Sequence, residues 1–328
     1  MKKCCFVIPY FGNFPNYFQL FLNSCKKNPN YDWLFFTDNK VDYSYPDNVK
    51  KIYMSFNDLR ELIQSRFQFK ISLAKPFKLC DYRPAFGYIF ERYLSEYSWW
   101  GHCDVDTLMG DLDKFISNKM LNDYDKLFDL GHFIMYKNTF ENNRLFMSEI
   151  NGTYWYKEVF TIDKSMIFDE VYGGKKNINT IFKMSGKRIF ENDLSLNFSP
   201  VKLTRFVKTT YNPSSERFED EGLYKNKLVV WDNGHIFRYE IHNAQLTKKE
   251  YMYLHLQSRN MKSEELGDSL FAVIPNKFIN LNRSDLVLLD HFKKVPKIES
   301  DLALENLFSI DKLIYLVRSI KNNIKKNN

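Results

Sequence analysis

The chain has 328 residues, 44% of them hydrophobic and 27% charged, so it can bury the core of one large domain or two ordinary ones. Its net charge of +7 suits an anionic partner such as a nucleotide, a lipid phosphate or a membrane surface, but the charge is dispersed and no nucleic-acid-binding motif is present, so we expect no nucleic-acid partner. Five scattered cysteines without a C-x-x-C pair, no signal-peptide pattern and no apolar run of about 20 residues together predict a cytoplasmic protein.

The first third of the chain alternates between predicted strands and helices. Largely apolar runs predict strands at residues 4–9, 33–37 and 99–105, and residues 49–54 are predicted as a further short strand. Apolar residues at helical spacing predict helices at residues 17–26, 57–67 and 84–97. Strands that are apolar along their whole length are covered on both faces, so the pattern predicts an α/β fold with a mixed, mostly parallel sheet flanked by helices.

The loops after three of these strands carry polar or turn-forming residues, at positions 9–12, 37–39 and 104–106. In parallel sheets, ligands bind outside the carboxyl ends of the strands. We therefore expect these three loops to open on the same edge of the sheet and to form one site.

The second half of the chain has weaker patterns. Residues 126–137, 201–211 and 227–232 resemble strands, and residues 250–259 fit either a strand or a helix. The pattern becomes helical after about residue 268. We expect one domain over residues 1–267 and a C-terminal helical region over residues 268–328.

Two carboxylates lie where the fourth predicted strand ends, at Asp104 and Asp106. On an extended backbone, residues two apart face the same way, so both side chains can converge on one cation. Mg²⁺ and Mn²⁺ take such oxygen ligands together with substrate phosphates, and the cation neutralises charge that develops on a departing nucleoside diphosphate. A D-x-D pair also occurs in turns and capped helices, but the apolar strand before it and the two other loops at the same edge favour a metal site.

A series of motifs surrounds this pair. They are V-I-P-Y-F-G at 7–12, F-T-D at 36–38, K-x-x-D-x-R at 78–83 and W-G-x-x-D-x-D at 100–106. Their order resembles the nucleotide-sugar site of A-type-fold (GT-A) glycosyltransferases and is similar to a bacterial family of capsular-polysaccharide glycosyltransferases. The resemblance is clear over roughly the first 140 residues and weaker beyond them.

The resemblance implies a Rossmann-like GT-A fold whose donor half is about residues 1–125 and whose acceptor half is about residues 126–267. It implies a hexosyltransferase that uses Mn²⁺ or Mg²⁺ to move a sugar from a nucleotide-diphospho-sugar, most commonly a UDP-sugar. The acceptor would be a saccharide or lipid-linked glycan in capsule or lipopolysaccharide biosynthesis.

The resemblance also implies roles for individual residues. Asp106 would be the principal metal ligand, and Asp104 would contact the metal and the ribose or sugar. The other residues implied in donor binding are Pro9, Tyr10, Phe11, Asp38, Lys78, Asp81 and Arg83. A salt-bridge cluster at a helix start is an equally good interpretation of Lys78, Asp81 and Arg83.

Related enzymes often complete the metal site with a histidine from the C-terminal half, and two candidates are present. His235 lies in a loop beside a glycine, where it can be aimed at a ligand. His255 alternates with Gln257 and Arg259, so one strand face could present all three, with Arg259 toward the donor phosphate. We expect His255 to be the ligand, with His235 as the alternative, although a lone histidine is more often structural.

Asp169 is the first candidate for acceptor chemistry, because an inverting transferase needs a carboxylate that takes the proton of the acceptor hydroxyl. A surface position on a helix is the simpler alternative. The expected catalytic residues are Asp169, Asp104 and Arg83. A retaining enzyme would not need that base, so the sequence leaves the stereochemistry open.

The C-terminal segment, residues 312–328, combines five basic residues with an apolar face at helical spacing. Such a helix can lie on an anionic membrane surface, which would place the protein at the inner face of the cell membrane. Docking of the apolar face on the domain is an equally good interpretation.

Other functional classes fit less well. A haloacid-dehalogenase-type phosphohydrolase also uses two aspartates two residues apart, but there they follow the first strand and a threonine lies two places beyond the second. Here Thr107 follows immediately, after three other predicted strands. A Rossmann-type dehydrogenase lacks support because no G-x-G-x-x-G follows the first strand. A non-catalytic protein that binds a nucleotide or glycan remains the alternative to the transferase.

Overall fold

A computed structural model describes residues 2–222, 226–263, 266 and 269–297. The strands are β1 Cys4–Pro9, β2 Tyr31–Thr37, β3 Val49–Tyr53, β4 Trp99–Cys103, β5 Thr107–Met109, β6 Lys126–Leu127, β7 Phe133–Lys137, β8 Ile189–Phe190, β9 Leu196–Asn197, β10 Thr209–Asn212, β11 Arg217–Asp220, β12 Lys227–Asp232, β13 His235–His242, β14 Gln245–Tyr251, β15 Tyr253–His255, β16 Lys262–Ser263, β17 Leu270–Ile274 and β18 Lys277–Asn280. The α-helices are α1 Phe18–Lys26, α2 Phe56–Gln64, α3 Phe86–Ile89, α4 Glu91–Leu94, α5 Leu112–Phe115, α6 Asn118–Asp123, α7 Trp155–Thr161, α8 Ile178–Met184 and α9 Leu289–Lys294. Short 3₁₀ helices lie at Pro76–Ala85, Asn142–Met147, Val171–Gly173 and Arg283–Leu286.

The central sheet has seven strands in the order β3-β2-β1-β4-β7-β6-β8. The first four are parallel, β7 is antiparallel to β4 and β6, and β8 is parallel to β6. Successive residues of a strand point to opposite faces, so Cys5 and Val7 pack with α2, α3, α7 and α8, whereas Phe6 and Ile8 pack with α1 and α5. The predicted α/β class, with a mixed and mostly parallel sheet covered by helices, is confirmed at this level.

A second sheet of six strands, in the order β14-β13-β12-β17-β18-β16, is almost wholly antiparallel. A three-stranded sheet, β5-β15-β9, connects the halves of the chain, because β5 follows the Asp104–Asp106 turn and β15 comes from the C-terminal half. This pairing sets His255 opposite Thr107 in the register. The C-terminal half therefore reaches the edge at which β4 ends.

Several predicted elements are wrong. The single helix expected over residues 84–97 is two one-turn helices after a 3₁₀ helix that contains Pro84, which has no N–H for an α-helical hydrogen bond. The strand expected over residues 126–137 is interrupted between β6 and β7, and within residues 201–211 only the last three belong to a strand. The segment over residues 250–259 contains strand, not helix.

The helical region expected from residue 268 is also corrected. Residues 270–280 form β17 and β18, and β17 pairs with β12, so the proposed domain boundary at residue 267 falls within a sheet. Only a 3₁₀ helix and α9 follow them in the described range. The basic segment 312–328 lies outside the described residues. None of the helices that the structure describes has the length and apolar character needed to cross a bilayer.

Candidate metal site and cavity

The acidic pair lies in a tight turn between β4 and β5, at the carboxyl end of β4. The N–H of Asp104 donates to the carbonyl oxygen of His132 at 3.0 Å, and the Thr107 hydroxyl donates to the carbonyl oxygen of Asp104 at 2.7 Å. These bonds fix the turn from both sides. The Asp106 side chain is almost buried, whereas that of Asp104 is 27% exposed.

His255 joins the two carboxylates. Its Nε2 lies 3.4 Å from Asp106 Oδ2 and 3.9 Å from Asp104 Oδ2, and one ligand atom from each residue lies within 4.8 Å of the others. His235, the alternative candidate, lies in the second sheet and contacts Glu250 Oε1 at 2.8 Å. The structure thus brings His255 to the pair and leaves His235 outside it, because β15, not β13, pairs with β5.

Two amide side chains orient His255. Its Nδ1 lies 3.1 Å from Asn197 Oδ1, which also accepts a 2.6 Å hydrogen bond from Gln257 Nε2. When Nδ1–H donates to Asn197, the lone pair of Nε2 faces the carboxylates, which is the tautomer a metal ligand needs. Asn197 comes from β9, which is parallel to β15, and no sequence pattern singled it out.

A strained loop holds Asp106. Gln257 and Ser258 both have positive φ, 56° and 52°, a region that residues other than glycine rarely adopt. This geometry directs the Ser258 N–H to Asp106 Oδ2 at 2.5 Å, and the Leu256 N–H donates to the Asp106 carbonyl at 2.9 Å. Strain of this kind persists at sites where the surrounding structure fixes the backbone.

Asp106 and His255 each stabilise the charged form of the other. Burial alone would raise the pKa of Asp106, but the His255 charge and the Ser258 N–H outweigh it and lower the pKa to about 2. Burial likewise opposes the charge of His255, and the neighbouring Asp106 outweighs it and raises the His255 pKa. Two carboxylates and one imidazole are a donor set that fits Mn²⁺ and also suits Mg²⁺ once phosphate oxygens are added.

Arg83 connects this cluster to a second acidic site. Its Nη2 contacts Asp104 Oδ1, and its Nη1 lies 3.0 Å from Asp169 Oδ2 and 3.0 Å from the carbonyl oxygen of Gly131. Asp104 thus keeps its other oxygen for His255 and a cation. Burial raises the pKa of Asp169 to about 8 although Arg83 opposes the shift. Burial also raises the pKa of Glu170, whose Oε2 accepts the Gly131 N–H at 2.9 Å.

Lys78 and Asp81 do not line the cavity, contrary to the donor-binding prediction. Lys78 Nζ contacts Asp81 Oδ2 at 2.7 Å and donates to the carbonyl oxygens of Val159 and Lys164 at 2.9 and 2.7 Å. Both side chains are buried with their polar atoms occupied. The salt-bridge interpretation therefore holds for these two residues, and only Arg83 of the K-x-x-D-x-R motif reaches the site.

Asp81 nonetheless fixes the backbone next to Asp169, although it does not line the cavity. Its two carboxylate oxygens accept the N–H groups of Met166 and Phe168 at 2.8 and 2.9 Å. Ile167 between them has φ of 56°, which is exceptional for a β-branched residue, and it lines the cavity. The buried carboxylate thus fixes the backbone that leads into Asp169.

A cavity of about 890 Å³ encloses the cluster. Pro9, Tyr10 and Phe11 line it, together with Arg83, Asp104, Asp169 and Arg259. Asp38 is not among the lining residues. Its Oδ1 accepts the Gly12 N–H at 3.0 Å, so it holds the loop after β1 instead of facing a ligand directly.

The buried polar atoms of the cavity wall without a hydrogen-bond partner among the described residues include the Tyr17 hydroxyl, Arg259 Nε and His132 Nε2. The Nη2 of Arg259 donates to the carbonyl oxygens of Ser199 and Lys202 at 2.9 and 3.0 Å, and burial lowers its pKa to about 10. Tyr17 was missed by sequence reasoning because it lies in the apolar face of the α1 region, where aromatic residues usually fill the core.

Comparison with known proteins gives a family but no activity. No curated protein matches the chain. A family model matches residues 6–282, which span almost all of the central sheet, the acidic pair, His255 and the whole second sheet. The chain therefore belongs to DUF6625, a family of unknown function.

Proposed function

We propose that this protein is a metal-dependent glycosyltransferase that moves a sugar from a nucleotide-diphospho-sugar to a saccharide or lipid-linked acceptor. The convergence of Asp104, Asp106 and His255 at the carboxyl edge of β4, inside a cavity bordered by the loop after β1, is the observation that carries the proposal. Residues from distant parts of the chain form this cluster, and a cavity of about 890 Å³ is large enough for a nucleotide sugar.

The metal would be held by Asp106, His255 and the oxygen of Asp104 that faces His255. Bound there, Mn²⁺ or Mg²⁺ would neutralise negative charge on the diphosphate leaving group. Arg259 and Tyr17 add donors to the same wall: a buried guanidinium whose described partners are carbonyl oxygens, and a buried hydroxyl without a described partner. Both groups favour a phosphate as the missing partner, since an unpaired buried donor costs stability until it is satisfied.

The neighbouring carboxylate of Asp169 would accept the proton of the acceptor hydroxyl. Burial gives it a pKa of about 8, which is close to the working range of a general base, and Arg83 orients it. Arg83 also contacts Asp104, so one side chain aligns the acceptor carboxylate with the metal ligand. This role applies to an inverting reaction.

The finer fold and the pathway belong to the same proposal. Four parallel strands followed by an antiparallel β7, with the acidic turn after the central strand, support a Rossmann-like GT-A fold. The resemblance to capsular-polysaccharide glycosyltransferases suggests a cytoplasmic enzyme of surface-glycan synthesis that works at the inner face of the membrane. UDP-sugars are the first donors to test.

Thermal unfolding with nucleoside diphosphates, with and without Mn²⁺, tests the proposal. Ligand at a hundredfold excess over Kd stabilises a protein by about 2.7 kcal/mol, so a nucleotide that acts only with metal should raise the Tm clearly. Asp106→Asn should abolish the metal-dependent rise, whereas Asp42→Asn, at an exposed position, should keep it. Release of nucleoside diphosphate from a nucleotide sugar then separates an enzyme from a binding protein, and no nucleotide effect in the wild type would refute the proposal.

A further inference from the structure

We propose that the cavity contains a separate subsite for a neutral saccharide, in which a sugar ring stacks on Tyr172 and Phe218. These rings belong to the side of the cavity opposite the loop after β1. The inference deepens the proposed function by giving the acceptor its chemical class, and as an acceptor site it rests on that function.

The order of the central sheet divides the cavity into two sides. Strand β4, which leads into the acidic pair, lies between β1 and β7. The loop after β1, residues 9–17, therefore borders one side of the metal cluster. On the other side lie residues 129–132, which precede β7, and the segment 169–172, whose Val171 N–H donates to the carbonyl oxygen of Asp129 at 3.0 Å. A donor and an acceptor could thus approach the metal cluster from different sides.

The second side carries an aromatic cluster, two of whose rings belong to a two-stranded hairpin. Strands β10 and β11 form an isolated two-stranded hairpin. The Phe218 ring of this hairpin lies 5.1 Å from the Tyr172 ring and 5.4 Å from the Tyr211 ring. Tyr172 and Phe218 line the cavity and are only partly buried. Half-buried aromatic rings in a cavity wall offer flat apolar faces, which suit the C–H face of a pyranose ring.

The ionisable side chains indicate which ligand each side of the cavity suits. Asp169 and Glu170 line the second side, and the guanidinium of Arg83 is already shared between Asp169 and Asp104. Among the described residues on this side, Arg83 is the guanidinium that a diphosphate or an acidic sugar would need, and it is already paired, whereas the hydroxyl groups of a neutral sugar can form hydrogen bonds with carboxyl groups in either protonation state. Arg259 and Tyr17 line the cavity too, and their partnerless buried atoms suit the anionic donor instead.

Saturation-transfer NMR on the full chain tests the subsite without requiring turnover. The probes are methyl β-glucopyranoside, methyl β-galactopyranoside and N,N′-diacetylchitobiose as neutral sugars, and glucuronate as the anionic counterpart. We expect the C–H protons of at least one neutral probe to receive saturation and those of glucuronate to receive markedly less. Phe218→Ala and Tyr172→Ala should each weaken neutral-sugar binding by roughly two- to twelvefold, the effect of losing one aromatic contact.

Matched variants separate a binding effect from a folding effect. Phe140→Ala removes a 73% exposed phenylalanine outside the cavity and should leave sugar binding unchanged. Tyr172→Phe and Phe218→Tyr keep a ring at each position and should retain binding, which loss of the hairpin fold would not allow. In all variants, stabilisation by nucleotide and Mn²⁺ should remain at the wild-type level.

The outcomes are distinguishable. The subsite is refuted when no neutral probe receives saturation from the wild type, or when both alanine variants bind as well as Phe140→Ala. Sugar binding that depends on Tyr172 and Phe218 without any metal-dependent nucleotide effect would keep the saccharide subsite and refute the transferase proposal. Metal-dependent nucleotide binding without sugar binding would refute the saccharide subsite and leave the transferase proposal standing.

Discussion

Asp106 and His255 lie 3.4 Å apart, Oδ2 to Nε2, although they come from opposite halves of the chain. The contact exists because β15 pairs with β5, directly after the acidic turn. Each residue favours the charged form of the other, so the metal-free site is already neutralised internally. A divalent cation would take the place of the His255 proton.

Replacement of His255 should therefore remove the metal site. We expect His255→Ala to lose the Mn²⁺-dependent stabilisation by nucleotide, because only two carboxylates would remain, one of them shared with Arg83. His235→Ala is the matched control, since His235 contacts Glu250 away from the cluster. Titration calorimetry with Mn²⁺ measures both variants. Equal affinities would show that the cation lies elsewhere.

Asn197 should matter for metal affinity without touching the metal. Its Oδ1 fixes the orientation and tautomer of His255 through Nδ1. Loss of such a partner typically costs about 10- to 100-fold in metal affinity. We expect Asn197→Ala to weaken Mn²⁺ binding by that factor, and Asn197→Asp to weaken it less, because a carboxylate can still accept from Nδ1. Wild-type affinity in Asn197→Ala would contradict the orienting role.

The dependence of folding stability on pH should differ between the metal-free and the metal-bound protein. The folded-state pKa of His255 is raised, so its contribution to stability is complete below the ordinary histidine pKa of 6.5 and is lost as pH rises through the folded pKa. The pKa of Asp106 is lowered from 3.8 to about 2, so its contribution is present above 3.8 and is lost below it. The pair therefore stabilises the metal-free protein most between about pH 4 and 6.5.

Mn²⁺ binding requires the unprotonated imidazole and should strengthen as pH rises. Urea unfolding at about pH 5 and about pH 8.5, in chelator and in excess Mn²⁺, measures both effects. We expect added metal to stabilise the protein more at the higher pH, and His255→Ala to remove that difference. A metal effect that is independent of pH would argue against an imidazole ligand.

The edge of the central sheet that carries the acidic pair was predictable because it depends on local sequence. Apolar runs identified β1, β2 and β4, and Asp104 and Asp106 follow the last of them. The Pro84 break was less visible, since the residues around it keep a helical apolar spacing. Close packing against β4 also constrains this segment, because a Cβ at Gly87 would lie 2.4 Å from the Trp100 ring.

The other parts of the site depend on contacts between distant segments. The sequence offered both His255 and His235 as ligands, and the pairing of β15 with β5 decides between them. Lys78 and Asp81 matched a donor motif, but their neighbours at residues 159–168 decide their role, and no local pattern identifies those neighbours. Tyr17, Asn197 and Ser258 carry no motif and become visible only through the cavity.

Lys78 and Asp81 should contribute to stability more than to binding. Breaking a buried ion pair costs about 3–5 kcal/mol, because one charge remains buried without its partner. We expect Lys78→Met to lower the free energy of unfolding by about that amount. Asp123→Asn breaks the exposed Lys119–Asp123 pair, which solvent screens, and should lower the free energy of unfolding far less. Urea unfolding measures both.

The nucleotide affinity of the folded Lys78→Met protein decides between the two roles. Lys78 lies outside the cavity lining, so we expect metal-dependent nucleotide binding to remain near the wild-type level in this variant. A large loss of affinity at full folding would restore the donor-binding role that the motif predicted.

Asp169 provides the sharpest test of the chemistry. Asp169→Asn keeps the size of the side chain and an oxygen that can accept from Arg83, so nucleotide and metal binding should persist. Loss of a general base slows proton transfer by about 10²- to 10⁴-fold, and sugar transfer to an acceptor should fall by that factor. Hydrolysis of the donor by water needs a different alignment and should fall less. Full transfer activity in Asp169→Asn would exclude Asp169 as the base and would favour a retaining reaction, in which no residue has to take the acceptor proton in this way.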